Sequence, residues 1–286
     1  MGRRASLVAV IGAAVLTHGC SDAPAREIPL TGSVVEYGRS PAGAPLRGVL
    51  YLPPGKGPVP VVLYAHGSAP GALSNEAFEA IAPAFTARGW GFFAPYRRGQ
   101  GLSREAGPFV GDEIAAARDE RGADGAQARL AELLATDHMQ DQSQAFAWLA
   151  RQPFAERGRI AAMGNSFGGV IALLSGERLE VCAAVDAAGA AQSWERSPAV
   201  RRLMTQAAER ARAPVLFIQA ENDFDTAPSR VLHATMVRAR KAAEIRLYPP
   251  FGSGAPEGHA FAYRGVKVWA GDVLAFLTRA CRKPAP

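Results

Sequence analysis

A serine lies in a Gly-x-Ser-x-Gly pattern near the middle of the 286-residue chain, where Gly164 and Gly168 flank Ser166. An apolar run leads into this pattern, and a second apolar run, suited to a helix, follows it. Between a buried strand and a helix, the pattern predicts a sharp turn that strains the serine backbone and exposes the hydroxyl. The same pattern also occurs as an ordinary turn, so the nucleophile hypothesis depends on partners for Ser166 elsewhere in the chain.

A serine hydroxyl is a poor nucleophile unless an adjacent base takes its proton, and histidine is the usual base. The chain has five histidines. His18 lies in the amino-terminal segment, and His138 and His233 lie in stretches with helical spacing. His66 ends an early strand, where we expect it to bond the neighbouring loop backbone. His259 alone lies in the loop predicted after the last strand, which makes it the candidate base.

A carboxylate is needed to hold the histidine in one tautomer and to stabilise its charged form. The buried strand predicted at residues 215–219 is followed by a loop that contains Glu221, Asp223 and Asp225. Asp223 is the preferred candidate, with Asp225 second and Glu221 a rival in the same loop. The resulting chain order is nucleophile, acid and base, which differs from the order in the chymotrypsin and subtilisin folds.

The negative oxygen that forms when a serine attacks a carbonyl group is stabilised by two N–H donors. The N–H of Phe167 is the first candidate, because Phe167 follows the serine and begins the predicted helix. The second donor is expected in the turn after the third strand. There the Ser68 N–H is preferred, and the Gly67 N–H is the alternative.

Strands and helices alternate along the chain, which predicts a mostly parallel α/β sheet with helices on both faces. We expect about eight strands in one domain that covers residues 31–286. Residues 102–128 are polar and glycine-punctuated, and they are predicted to form a small insertion over the active site or the sheet edge. An amphipathic helix, with Asp137 as its expected cap, is predicted at residues 136–151.

The composition is ordinary for a globular protein, with 48% hydrophobic and 20% charged residues. The net charge is +6, but the basic residues are scattered in short clusters without interleaved aromatic residues. We therefore predict no nucleic-acid partner. The chain contains no Cys-x-x-Cys, His-Glu-x-x-His, Walker-type or EF-hand pattern, so neither a metal nor a nucleotide cofactor is predicted.

Residues 1–20 differ from the remainder: two arginines precede an apolar run that is too short to span a bilayer and ends near Cys20. This segment resembles a bacterial lipoprotein signal, in which the cysteine is lipidated and becomes the new amino terminus. Thr17 departs from the pattern, because an aliphatic residue is expected three places before the cysteine. We expect an exported protein, periplasmic or anchored to the outer membrane through a lipidated Cys20. The alternative is secretion after cleavage nearby, and residues 21–30 are expected to form a tether.

Two further cysteines, Cys182 and Cys281, lie beyond the signal segment. Cys182 lies in an apolar, strand-like run and is expected to pack as a small hydrophobic residue. In an oxidising compartment it could instead pair with Cys281, and the sequence leaves both alternatives open.

Several motifs together resemble those of the α/β-hydrolase superfamily. Within it, they resemble the dienelactone-hydrolase-like branch, which is similar to the prolyl-oligopeptidase family. The resemblance covers the chain from about residue 48 to its end. The motifs that carry it are His66-Gly67, Tyr96-Arg97-Arg98-Gly99-Gln100-Gly101, Ala162-Met163-Gly164-Asn165-Ser166-Phe167-Gly168-Gly169, Glu221-Asn222-Asp223 and Gly258-His259.

The resemblance implies the α/β-hydrolase fold and a serine hydrolase whose nucleophile, acid and base are Ser166, Asp223 and His259. Dienelactone hydrolase itself uses a cysteine nucleophile, whereas position 166 is serine. We expect hydrolysis of a small-molecule carboxylic ester, with no obligate protein partner. The alternatives are a small peptidase or amidase with the same residues, or a non-catalytic envelope lipoprotein on a hydrolase scaffold. Residues 102–130 and 187–197, which include Trp194, are expected to line the substrate pockets.

Overall fold

A computed structural model describes residues 32–68 and 75–282. The predicted signal segment, Cys20 and the tether lie outside the described residues. The described residues form one eight-stranded sheet in the order β1-β2-β4-β3-β5-β6-β7-β8. The strands are β1 (Ser33–Arg39), β2 (Pro45–Tyr51), β3 (Val59–Ala65), β4 (Gly91–Pro95), β5 (Ala155–Asn165), β6 (Ala184–Ala187), β7 (Val215–Ala220) and β8 (Ala243–Tyr248).

The direction of each strand follows from the connection that precedes it. β1 and β2 are joined by a short turn and pair antiparallel, and β2 also runs antiparallel to β4. From β4 to β8 every pairing is parallel, because a helix connects each strand to the next. Strands covered on both faces have continuous apolar sequences, as in β7, where all six residues are buried. The predicted fold class is therefore confirmed.

Helices cover both faces of this sheet. The helices α1, α8 and α9 on one face share an apolar cluster with Tyr64 and Phe92, through side chains such as Phe85 and Trp269. The larger set on the other face packs around Phe217 and its neighbours. No helix within the described ranges is both long enough and apolar enough to cross a lipid bilayer. The helices are α1 (Glu76–Thr86), α2 (Val110–Ala135), α3 (Asp137–Leu149), α4 (Phe167–Arg178), α5 (Pro198–Arg210), α6 (Ala227–Arg238), α7 (Ala255–His259), α8 (Phe261–Arg264) and α9 (Val266–Ala280), with a 3₁₀ segment at Gly101–Ala106.

The insertion predicted at residues 102–128 is largely helical. The 3₁₀ segment is followed by α2, which is interrupted at Gly122, where φ is 72°. α2 packs against α3, α4 and α5, so it lies beside the start of the helix that follows Ser166. The expected cap at Asp137 is wrong, because α3 begins at Asp137 and its cap residue, Thr136, makes no side-chain cap bond.

A disulfide joins Cys182 to Cys281, and their Cα atoms are 5.1 Å apart. Cys182 lies just before β6, and Cys281 directly follows α9. The disulfide therefore links the end of α9 to the segment just before β6. The expectation that Cys182 packs as a free hydrophobic residue is wrong, because spatial proximity across a separation of 99 residues cannot be read from the sequence.

Candidate active site

Ser166 lies on a sharp turn between β5 and α4. Its φ of 55° and ψ of −119° place this non-glycine residue in a strained region of backbone space. Strand and helix approach each other so closely that a Cβ atom at Gly164 would overlap the Gly168 carbonyl oxygen. A Cβ atom at Gly168 would overlap the Ala65 carbonyl oxygen of β3. The two glycines of the pattern are therefore required by the turn that presents the serine.

Ser166, His259 and Asp223 form one continuous chain of hydrogen bonds. His259 Nε2 lies 2.9 Å from Ser166 Oγ, and His259 Nδ1 lies 2.9 Å from Asp223 Oδ1. Because a carboxylate only accepts, the imidazole proton belongs on Nδ1, which leaves Nε2 free to accept the serine proton. The loop predicted around His259 is partly helical, since His259 is the last residue of α7. Three positions far apart in the sequence thus meet at the carboxyl edge of the sheet.

The carboxylate of Asp223 is held by two further donors. Gln219 Nε2 donates to Oδ2 at 2.9 Å, and the Phe224 N–H donates to Oδ1 at 2.6 Å. The rival Asp225 instead accepts the Ala227 N–H at 2.7 Å, beside the start of α6. The other rival, Glu221, is exposed. Of the three acidic residues, the structure brings Asp223 to the histidine.

The two expected N–H donors lie in separate segments, one at the start of α4 and one in the turn after β3. Phe167 is the first residue of α4, where the N–H has no acceptor within the helix. In the turn after β3, the Gly67 N–H is donated to Asn165 Oδ1 at 3.0 Å. The same oxygen accepts the Tyr64 hydroxyl at 2.8 Å. Because the Gly67 N–H is occupied in this way, Ser68 is the better second donor.

His66 is fully engaged in the backbone of its own loop, as expected. Its Nδ1 lies 2.7 Å from the Gly67 carbonyl oxygen, and its Nε2 accepts the Arg97 N–H at 3.2 Å. Desolvation by burial, followed by the charge of Arg97, holds the pKa of His66 well below its ordinary value. A neutral imidazole with both nitrogens bonded in this way has a structural role.

Two cavities border Ser166. The larger one, which we name the open cleft, has a volume of about 460 Å³ and is lined by His259 and by polar side chains such as Glu76, Tyr263 and Arg264. The smaller one, the α2 cavity, measures about 210 Å³, and both Ser68 and Phe167 border it. Its lining combines apolar side chains, namely Val110, Ile114, Leu130, Leu134 and Val170, with the polar side chains of Gln127, Gln192, Ser193 and Arg196.

Both segments expected to line the substrate pockets contribute to the α2 cavity. α2 supplies most of its apolar wall, and the loop after β6 supplies Ala190 and Gln192. Trp194, named in the same expectation, is buried within the apolar cluster beneath. Among the described residues, no group of three or more His, Cys, Asp or Glu side chains is arranged to hold a metal ion.

Three residues that organise the site were not identified from the sequence. Asn165 fixes the turn that carries Ser68, Gln219 orients Asp223, and the guanidinium of Arg97 bonds the His66 and Gly67 carbonyl oxygens. Each of them lies within or directly beside a quoted motif. Their positions could have drawn attention to them, but their partners are distant in sequence and follow only from the fold.

A buried carboxyl group, Asp186, lies at the end of β6 and is not part of the hydrogen-bonded chain. It accepts the Gly189 N–H at 2.7 Å, and burial raises its pKa from 3.8 to about 7. Between these two pH values the folded chain retains a proton that the unfolded chain has lost. The contribution of Asp186 to stability therefore falls as the pH rises through this range.

The Asp186→Asn variant should be more stable than the wild type at pH 8, by an amount on the order of 4 kcal/mol at most. An amide is neutral at every pH and can still accept the Gly189 N–H. The advantage should shrink as the pH falls towards 4, where Asp186 is protonated in both states. Denaturant unfolding of both proteins at pH 5 and pH 8 measures it, and an equal difference at the two pH values would contradict this account.

Solved structures with the same fold include both peptidases and an esterase. The Pyrococcus horikoshii acylaminoacyl peptidase is 15% identical with a TM-score of 0.63, and the match covers 89% of this chain and 42% of that one. The Mycobacterium tuberculosis puromycin-hydrolyzing peptidase is 18% identical with a TM-score of 0.64, with 90% and 41% covered. The Pyrococcus furiosus esterase is 16% identical with a TM-score of 0.62, with 88% and 91% covered. The chain thus spans less than half the length of the two peptidases.

At these identities the structural similarity shows the fold alone. No curated protein matches the sequence at a significant level. The family model of the dienelactone hydrolase family matches residues 46–272, which is most of the chain. The match includes all of the residues that meet around Ser166. The chain is an α/β-hydrolase, and it belongs to the dienelactone hydrolase family.

Proposed function

We propose that this protein hydrolyses carboxylic esters through an acyl-enzyme intermediate on Ser166. The observation that carries the proposal is the hydrogen-bonded chain from Ser166 Oγ through His259 to Asp223, with both contacts at 2.9 Å. Membership of a hydrolase family supports the general class of reaction. The chemistry of such a chain is that of a serine nucleophile with a histidine base and an orienting carboxylate.

In the first half of the reaction, Ser166 Oγ attacks the ester carbonyl carbon while His259 Nε2 takes the serine proton. The carbonyl oxygen becomes negatively charged and accepts hydrogen bonds from the Phe167 and Ser68 N–H groups. When the tetrahedral intermediate collapses, the bond to the alcohol oxygen breaks. His259 returns the proton to that oxygen, and an acyl ester remains on Ser166.

In the second half, a water molecule takes the place of the alcohol. His259 Nε2 removes a proton from the water, whose oxygen attacks the acyl carbon, and the same N–H groups stabilise the second tetrahedral intermediate. Collapse of this intermediate releases the carboxylic acid and returns the proton to Ser166. Throughout, Asp223 keeps the imidazole proton on Nδ1 and stabilises the imidazolium that forms twice in each cycle.

The two cavities give the substrate an orientation. The leaving alcohol must lie near His259 Nε2, which protonates it, and His259 lines the open cleft. The acyl group is then directed into the smaller α2 cavity, which borders both proposed N–H donors but not His259. We therefore propose an ester with a compact acyl group and a larger alcohol.

Support for an ester comes from the Pyrococcus furiosus esterase, whose fold matches 88% of this chain. A peptidase or amidase remains the second candidate, because the peptidases share the same fold over about nine tenths of this chain.

Turnover of p-nitrophenyl butyrate, hexanoate and dodecanoate, beside butyryl p-nitroanilide, tests this proposal. The expected result is rapid hydrolysis of butyrate and hexanoate, slower hydrolysis of dodecanoate, and little hydrolysis of the anilide. Faster cleavage of the anilide would identify an amidase. A wild-type protein that is inert towards all four substrates would instead identify a non-catalytic member of the family.

We further propose that the protein is exported and lipidated on Cys20. The amino-terminal pattern supports this proposal, and so does the disulfide between Cys182 and Cys281, since disulfides persist in oxidising compartments. Cell fractionation of the full chain beside Cys20→Ser tests it. The wild type is expected in the membrane fraction and the variant outside it, and an identical distribution of the two would contradict lipidation.

A further inference from the structure

Arg97 lies directly after the buried Tyr96 that follows β4, and it is itself only 2% exposed. Its neighbour Arg98 forms an ion pair with Asp141, with 2.6 Å between Nη2 and Oδ1. Among the described residues, no ion pair involves Arg97, and the charge of Asp141 acts on it only from a longer distance. Burial lowers the pKa of Arg97 to about 9. Placing a cation in such a position is costly, so its contacts call for an explanation.

The guanidinium of Arg97 holds the turn that carries Ser68. Nη1 donates to the His66 carbonyl oxygen, and Nη2 donates to the Gly67 carbonyl oxygen at 3.3 Å and to Gln100 Oε1 at 2.9 Å. The backbone N–H of Arg97 also donates to His66 Nε2. The two carbonyl groups belong to the residues directly before Ser68, so these bonds restrict the direction of the Ser68 N–H.

The same guanidinium also contacts the residue that provides the other N–H. Its central carbon lies 4.5 Å from the centre of the Phe167 ring, in cation–π contact. The ring of His138 also contacts the Phe167 ring, with 5.1 Å between the ring centres and nearly perpendicular planes. His138 is fully buried, and burial holds its pKa well below the ordinary value, so its imidazole is neutral. Phe167 is thus fixed on two sides at the first turn of α4.

We propose that Arg97 is a positioning residue that holds the Ser68 and Phe167 N–H groups at one fixed separation around the developing oxyanion. One planar group donates hydrogen bonds to the turn before Ser68 and lies over the ring of Phe167. This inference rests on the proposed function, because it assigns a role in the same reaction. Arg97 itself touches neither the substrate nor Ser166 in this account.

Lysine cannot perform this task, because an ammonium is a point charge without a planar fork or a stacking face. Arg97→Lys keeps the positive charge and loses the simultaneous contacts. Misplacement of catalytic groups by about 1 Å can cost on the order of 100-fold in rate. The matched control is Arg98→Lys, which makes the same exchange one residue away, at a side chain bonded to Asp141 of α3 and not to the turn before Ser68.

The experiment measures kcat and KM for p-nitrophenyl butyrate with wild type, Arg97→Lys and Arg98→Lys. The concentration of active sites in each preparation is determined by titration with a fluorophosphonate, and kcat is calculated per active site. The inhibition constant of a trifluoromethyl ketone is measured beside them, because Ser166 Oγ adds to its carbonyl carbon and generates an oxyanion. For Arg97→Lys we expect kcat to fall roughly 100-fold, with KM within about threefold, and ketone affinity to fall by a similar factor. For Arg98→Lys both quantities should stay within about threefold of wild type, even if its melting temperature falls.

A second variant keeps the test informative if Arg97→Lys does not fold. Phe167→Leu retains the N–H group but removes the ring that Arg97 stacks on, and we expect roughly a tenfold decrease in kcat. If the folded Arg97→Lys, or Phe167→Leu in its place, keeps the kcat and ketone affinity of Arg98→Lys, the positioning role is wrong while the proposed function stands. A wild-type protein that neither turns over the ester nor binds the ketone would overturn both.

Discussion

Replacement of Ser166 by alanine is expected to lower kcat for p-nitrophenyl butyrate by about 10⁵- to 10⁶-fold. The reason is that Ser166 Oγ supplies the bond to the acyl group, and no other hydroxyl is placed against His259 Nε2 among the described residues. The N–H donors and the two cavities are untouched, so a small residual rate over water should remain. Initial rates at saturating ester measure the loss. The variant must be purified free of wild-type enzyme, because a trace of it would hide a loss of this size.

The control for this substitution is Ser175→Ala on the same helix. Ser175 is fully buried and donates to the Ile171 carbonyl oxygen at 2.7 Å, two turns away from the site. Its loss should change stability modestly and leave kcat within about threefold. Comparable activity of Ser166→Ala and Ser175→Ala would contradict the assignment of the nucleophile.

The second large effect is expected from Asp223→Asn, which should lower kcat by roughly 10³- to 10⁴-fold. The amide side chain of this variant lacks the negative charge that stabilises the imidazolium of His259. If the amide oxygen stays at His259 Nδ1 and the Phe224 N–H, the amide nitrogen faces the Gln219 donor. If the amide turns over, its nitrogen donates to Nδ1 and forces the wrong tautomer. The change in kcat on the same ester measures this effect.

Asp225→Asn is the matched control, since it makes the same exchange two residues away. Asp225 Oδ1 accepts the Ala227 N–H, and an amide oxygen can keep that bond. Its kcat is therefore expected to stay within about threefold of wild type. A larger loss in Asp225→Asn than in Asp223→Asn would show that the acid has been assigned to the wrong residue.

The sequence predicts the sheet, and the positions that meet around Ser166, because both depend on local patterns. Continuous apolar runs identify β3 and β7, and glycines spaced around Ser166 identify the turn. The choice of His259 followed from elimination among five histidines and from its place after the last strand. In an α/β sheet, residues that follow different parallel strands arrive at one edge, so chain order was enough to bring the three side chains together.

Other features could not be predicted, because they depend on contacts between distant segments. α2 has a polar, glycine-interrupted sequence, and its helical structure depends on packing against α3, α4 and α5. The sequence favours Asp223 over Asp225, but the bonds of these two carboxylates to Gln219 and Ala227 follow only from the fold. The physical reason to prefer the Ser68 N–H over the Gly67 N–H is also a distant contact, because the Gly67 N–H donates to Asn165 Oδ1.

The measurement that tests the account most directly is labelling by a fluorophosphonate, followed by intact mass and peptide mapping. We predict one adduct per wild-type chain, located on Ser166, no adduct in Ser166→Ala, and labelling slowed by at least about a thousandfold in His259→Ala. A wild-type protein that stays unlabelled, or an adduct that persists in Ser166→Ala, would contradict the claim that Ser166 is an activated nucleophile.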